Sequence, residues 1–281
     1  MKVWQKRASR VLPAIVAAVA LGLLVACAGG PSRDRSADLV RTWARARVIL
    51  PNEIGGGRVL RMDSPALGRR LADYRGGAGA GAGAKLPVVL YLHGCTGLGQ
   101  DSFAFMRALA AAGYAVIAPD SMARRFRPWQ CDPKTKSGGF HLYVYEFRLA
   151  EISYALERLD MLDWVNPSRL YLIGVSEGGV AAALYRGAEF RARVIAQWTC
   201  HGGALIRGLL APPNEPVLAV VRRHDPWYDP ARTRAQTGDC GAFLGNRPGS
   251  RSLVLEQGTG HDVLKDATVR DAIIAFLKQA P

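Results

Sequence analysis

The stretch Arg169-Leu170-Tyr171-Leu172-Ile173-Gly174-Val175-Ser176-Glu177-Gly178 decides the fold. Its apolar first half reads as a buried strand. A Gly-x-Ser-x-Gly turn follows, and then the helix-forming run Val180-Ala181-Ala182-Ala183-Leu184. Strand, tight turn and helix in that order form a nucleophile elbow. The serine sits at the bend, so its hydroxyl projects above the sheet. Glycines flank it because side chains would clash where the backbone folds back.

Working outward, Leu86 to Leu92 is a near-continuous apolar run of the kind a buried parallel strand requires, and His93-Gly94-Cys95-Thr96-Gly97 follows it. Asp101 is expected to cap a helix that runs through Ala112 and stops at Gly113. Tyr114 to Ala118 reads as the next strand, followed by a long loop over residues 121–140 rich in Arg, Pro and Trp. Tyr145, Leu149, Ile152, Leu156 and Leu159 recur at steps of four and three, an amphipathic helix. Val194 to Trp198, Pro216 to Val221 and Ser252 to Leu255 are further strands, and Val269, Ile273 and Leu277 line a final helix. Arg47 to Leu50 and Arg58 to Met62 are the first strands. The Gly/Ala-alternating Gly76 to Ala84 is expected to be a loop at a hairpin tip. Strands alternating with helices predict an α/β fold with a mostly parallel central sheet and helices on both faces. Ligands bind beyond the carboxyl ends of such strands.

The 281 residues, 49% of them hydrophobic and 21% charged, suit one large domain over residues 46–281 and exclude global disorder. Lys2, Lys6, Arg7 and Arg10 precede an apolar stretch from Val11 to Ala26 that is short for a bilayer span, so residues 1–26 read as a signal peptide. Leu24-Val25-Ala26-Cys27 has the form of a bacterial lipobox, with Cys27 lipidated and residues 27–45 a tether. An ordinary signal peptide or an uncleaved anchor is the alternative. The lack of an acidic residue after Cys27 points to the periplasmic side of the envelope and to the outer membrane. Removing the leader's four basic residues takes the formal charge from +14 to +10. Such a surface favours anionic partners, but a high-GC genome that favours Arg is the preferred reading of it. No basic helix interleaved with aromatics points to nucleic acid.

Four further cysteines in an oxidising compartment imply disulfides. Of the three possible pairings, Cys95–Cys131 and Cys200–Cys240 are expected, because each pair lies in loops after consecutive strands. Zinc is the alternative, but Cys-x-x-Cys and His-x-x-x-His spacings are missing, so no metal and no cofactor is expected.

A serine hydroxyl is a poor nucleophile until a base takes its proton and a third group orients that base. Behind an elbow the chain order is Ser, acid, His. Asp225 follows the strand Val217 to Val221 and is the expected acid, with Asp229 as runner-up. His261 follows the last strand and alone fits the order expected of the base; His93, His141, His201 and His224 do not. The backbone N–H groups of Glu177 and Cys95 are the expected oxyanion donors.

The chain here resembles the dienelactone hydrolase family of the α/β-hydrolases over roughly residues 85–280. The likeness rests on Leu92-His93-Gly94-Cys95-Thr96-Gly97, Gly174-Val175-Ser176-Glu177-Gly178-Gly179, His224-Asp225-Pro226 and Gly260-His261. It implies a nucleophile, acid and base at Ser176, Asp225 and His261. The family's name-giving enzymes use a cysteine nucleophile, so serine here points to its esterase-like members. Small or medium carboxylic esters are the expected substrates, with Trp129, Trp227 and Tyr228 walling a pocket. Arg222, with Arg124, Arg125, Arg127 and Arg223, is set either to hold a substrate carboxylate or to form a solvated basic face. A peptidase, an acyltransferase and a lipid-anchored, non-catalytic envelope binding protein are the rival readings. The oligomeric state is not legible.

Overall fold

A computed structural model describes residues 32–77, 83–231 and 236–280. The chain divides into two units, Met1–Asp38 and Leu39–Pro281, and the fold is that of the second. The expected signal peptide, Cys27 and the start of the tether lie outside the described residues. From Ser32 the supposed tether is instead a helix, α1 (Ser32–Ala44). Its second half is packed: Thr42 is buried, Trp43 lies against the core, and the Thr42 carbonyl accepts the Asp120 N–H at 3.1 Å. Among the described residues no helix is long and apolar enough to cross a membrane.

Among the described residues the main sheet has eight strands: β1 (Arg47–Ile49), β2 (Leu60–Arg61), β3 (Leu86–Leu92), β4 (Ala115–Ala118), β7 (Val165–Val175), β8 (Ala192–Ala196), β9 (Val217–Arg222) and β10 (Arg251–Leu255). Their order is β10-β9-β8-β7-β3-β4-β1-β2. The six strands from β10 to β4 are parallel, while β1 runs antiparallel to both β4 and β2. The chain leaves β3 towards β4 on one side and returns to β7 on the other. The crevice at this reversal, above the carboxyl ends of β3 and β7, is where open sheets of this kind bind ligands.

Side chains alternate across the sheet, as strand geometry requires. On β3, Val88, Leu90 and Leu92 face one apolar layer, and Val89 and Tyr91 face the other. The first layer is covered by α3 (Pro65–Gly76), α5 (Tyr143–Asp160) and α6 (Glu177–Leu184), the second by α4 (Gln100–Ala111) and α8 (Ala267–Gln279). Two four-residue helices, α2 (Asn52–Gly55) and α7 (Gly241–Leu244), are also present among the described residues. On α5 the buried positions include Tyr145, Arg148, Ile152, Ala155 and Leu159, so the expected stripe is present but contains an arginine.

Two local expectations are corrected. The cap of α4 is Gly99 without a side-chain bond, and Asp101 lies inside the first turn, ion-paired to Lys265 at 3.1 Å. The Gly/Ala segment does not sit at a hairpin tip: α3 precedes it and β3 follows it, residues 78–82 lying outside the described set. The long loop also has structure. A short 3-10 turn over Ser121–Ala123 leads to a hairpin of β5 (Cys131–Asp132) and β6 (Ser137–Gly138).

Candidate active site

Ser176 lies between β7 and α6 with φ 54° and ψ −115°. That backbone is costly for a residue with a side chain and persists only where its surroundings enforce it. Close packing does the enforcing. A Cβ on Gly174 would overlap the carbonyl of Gly178, and one on Gly178 would overlap the carbonyl of Leu92. A Cβ on Gly179 would come within 2.8 Å of the Ala196 carbonyl oxygen. The Ser176 N–H is held by the Ala196 carbonyl at 2.8 Å.

His261 reaches the same point from the loop after β10. Its Nε2 lies 2.8 Å from Ser176 Oγ, and its Nδ1 lies 2.6 Å from Asp225 Oδ2. Asp225 follows β9 and is 2% exposed; its Oδ1 accepts the Trp227 N–H at 2.9 Å. The Trp227 and Tyr228 rings stand 5.2 and 5.9 Å from the imidazole. Asp225 and His261, 49 and 85 positions beyond Ser176 along the chain, thus meet it because β7, β9 and β10 run parallel in one sheet, with β8 between β7 and β9, and end at the same edge. The runner-up Asp229 instead accepts the Ala231 N–H at its own turn.

Cys95 sits in the turn after β3 closed by the Gly97 N–H on the Gly94 carbonyl, 3.1 Å. Glu177 opens α6, so its N–H has no intrahelical carbonyl. Both residues line one cavity of about 250 Å³ together with Ser176. Cys95 is disulfide-bonded to Cys131, and Cys200 to Cys240. Among the described residues no group of His, Cys, Asp and Glu is arranged to hold a metal.

The expected pocket residues divide. Trp227 and Tyr228 line the cavity at Ser176. Trp129 is 75% exposed and belongs to a separate groove with Met122 and Pro128. Arg222 is not among the residues lining the cavity at Ser176: it donates from Nε to the Gly260 carbonyl at 3.1 Å and from Nη1 to the Gln257 carbonyl, tying down the loop that carries His261. Arg124, Arg127 and Arg223 are engaged with Glu151, Glu177 and Glu256.

Beneath the elbow lies a buried ionic network that the sequence reading missed. Arg148, fully buried, donates from Nη2 to the His93 carbonyl at 2.9 Å and from Nη1 to Glu151 at 3.0 Å, and its Nε lies 3.6 Å from Glu177. Arg127 approaches the same Glu177 oxygen at 2.5 Å. His93 accepts the Ser121 N–H on Nε2 at 3.0 Å, leaving Nδ1 to donate to the Gly94 carbonyl at 2.7 Å. Burial, and then the neighbouring Arg148 cation, hold the His93 pKa well below the usual imidazole range. Burial likewise pushes the Tyr145 phenol up to about 12 and raises that of Tyr228 well above its ordinary value. The available signal was Arg148 itself, a cation on the apolar stripe three residues after Tyr145 and four before Ile152.

No protein-family model matches the chain, and no curated protein matches it in sequence. Solved structures do. A protein from Klebsiella pneumoniae subsp. pneumoniae, provisionally described as a dienelactone hydrolase, is similar over 70% of this chain and 88% of its own, at 18% identity and a TM-score of 0.52. An esterase from Pyrobaculum calidifontis matches over 69% of this chain and 77% of its own, at 18% identity and a TM-score of 0.45. A phospholipase/carboxylesterase from Dyadobacter fermentans matches over 72% and 94%, at 14% identity and a TM-score of 0.48. With its sheet order and the likeness to the Klebsiella structure together, the chain has the α/β-hydrolase fold.

Proposed function

We propose that the protein is a serine hydrolase that cleaves small to medium carboxylic esters through an acyl-enzyme. The observation that carries the reading is the unbroken line from Ser176 Oγ through His261 to Asp225, at 2.8 and 2.6 Å. In this reading His261 Nε2 takes the hydroxyl proton as Ser176 Oγ bonds to the ester carbonyl carbon. Asp225 accepts from Nδ1–H, fixes the tautomer and stabilises the imidazolium. The carbonyl π electrons move onto oxygen, where the Cys95 and Glu177 N–H groups receive the charge. Collapse expels the alkoxide, which takes the proton from Nε2. Water, deprotonated by the same nitrogen, then releases the acid and restores the serine.

Labelling with a fluorophosphonate probe tests the proposal. An adduct on Ser176, absent in Ser176→Ala, and ester turnover lost in His261→Ala are the expected results. A protein that binds esters but neither labels nor turns them over would instead be a binding module on this fold. The proposal also places the protein on the periplasmic side of the envelope, lipid-anchored through Cys27 in the outer membrane. Metabolic labelling with a fatty acid, lost in Cys27→Ser, checks that part.

A further inference from the structure

Two cavities meet at Ser176, and they differ in which half of the catalytic apparatus lines them. The first, about 250 Å³, is lined by Ser176, Cys95 and Glu177 but not by His261. The second, about 210 Å³, is lined by Ser176, Cys95 and His261 but not by Glu177. Trp227 lines both. The distinction has a chemical consequence that rests on the serine hydrolase reading. The leaving oxygen must receive its proton from His261 Nε2, so the alcohol of the substrate lies on the side that His261 lines. The acyl group extends the other way, into the first cavity.

The walls of the two cavities differ in their aromatic content. The acyl side carries the rings of Tyr145, Trp198, Trp227 and Tyr228 with Val180 and Ile206, and its polar residues include Gln130, Lys136, Ser137 and Gln236. Trp198 and Tyr228 meet edge to face at 5.9 Å, and the Tyr228 hydroxyl donates to the Gln197 carbonyl at 2.6 Å, which leaves its ring to the cavity. Four aromatic rings around a space of this size suit a flat apolar guest, because offset and edge-on ring contacts add to plain area burial. The alcohol side carries Thr96, Asp101, Ser102 and Asp262 beside Gly94 and Gly97. Asp101 already holds Lys265 and Asp262 the Leu264 N–H, but each carboxylate has further lone pairs, and with the Thr96 and Ser102 hydroxyls they can bond a hydroxylated guest, which a bare alkyl chain cannot exploit. Burial raises the Asp262 carboxyl above its ordinary range.

We infer that the substrates are esters of an aromatic carboxylic acid with a polar, hydroxyl-bearing alcohol, the acid seated among Trp198, Trp227 and Tyr228 and the alcohol beside Ser102 and Asp262.

The test uses the whole protein and a two-way panel: phenylpropanoyl against hexanoyl esters of one alcohol, and glyceryl against butyl esters of one acid. The expected result is a kcat/KM preference of about tenfold or more for the aromatic acid and for the polar alcohol. Ile206→Trp, which fills the acyl side, is expected to reduce the acid preference and leave the alcohol preference in place. Ser102→Leu is expected to do the reverse. Flat preferences, or crossed effects of the two variants, overturn the inference. Hydrolysis of the panel that depends on Ser176 but shows no such pattern defeats the inference alone, whereas no Ser176-dependent hydrolysis of any ester defeats the serine hydrolase reading itself.

Discussion

The α-carbon of Gly178 is pressed against the carbonyl oxygen of Leu92, so that no Cβ fits between them. This contact joins α6 to the end of β3 and sets the height of the elbow above the sheet. Gly178→Ala is therefore expected to force the two elements apart. A loss of stability above about 3 kcal/mol in urea unfolding is the anticipated outcome, since neither backbone can yield easily. Gly68→Ala, at an exposed helical position where a Cβ meets nothing, serves as the comparison and is expected to stabilise slightly.

Arg148 ties the His93 carbonyl, two residues before Cys95, to the Glu177 carboxylate, next to Ser176. Both expected oxyanion donors thus hang on one guanidinium. Arg148→Met is expected to lower kcat by about tenfold or more with KM little changed, the pattern of an interaction felt in the transition state. A structural role alone would not alter the relative rates of oxygen and sulfur esters at the carbonyl position. A positioning role predicts that the ester-to-thionoester rate ratio falls in Arg148→Met and recovers partly in Arg148→Lys.

The Cys95–Cys131 bridge spans 36 residues and joins the turn bearing one expected donor to the β5–β6 hairpin. Replacing both cysteines with serine is expected to cost about 2–4 kcal/mol, largely by freeing the unfolded chain. A thiol reductant should lower the melting temperature of the wild type and should affect the double variant less, because only Cys200–Cys240 then remains to be reduced.

His93 is neutral and buried, facing Arg148 and the Ser121 N–H, with Arg127 also near enough to disfavour its protonation. Its folded pKa lies below its unfolded one, so as pH falls through about 6.5 the unfolded chain takes up a proton that the folded chain refuses. The stability it contributes is complete above that pH and declines below it, towards the folded pKa. Melting temperatures measured from pH 8 down to pH 5 should fall with a steeper slope in the wild type than in His93→Asn, by up to one proton's worth.

Much of this was legible in the sequence, because apolar runs and glycines report local constraints directly. Leu86 to Leu92 and Arg169 to Ile173 lie within β3 and β7, and Ser176, Asp225 and His261 stand at the strand ends anticipated for them. What escaped the reading depends on contacts between distant residues. Arg148, Glu151 and Glu177 look like surface charges until α5 and α6 pack and remove their water. Arg222 looked available for a ligand, but its partners are carbonyls on the loop after β10. Residues 32–44 carry no strong apolar signal, yet they form α1, whose end is held through Thr42 and Trp43.

The sheet order carries a last implication. His261 is delivered by β10, which has a neighbour on one side only and whose residues are exposed or half-buried, while Ser176 and Asp225 follow the buried strands β7 and β9. The proposed base is therefore mounted on the flank of the sheet expected to open first, and the proposed nucleophile in its interior. Gentle heating should uncouple the pair before the core gives way: turnover would vanish, and return on cooling, at temperatures where most of the helical signal persists.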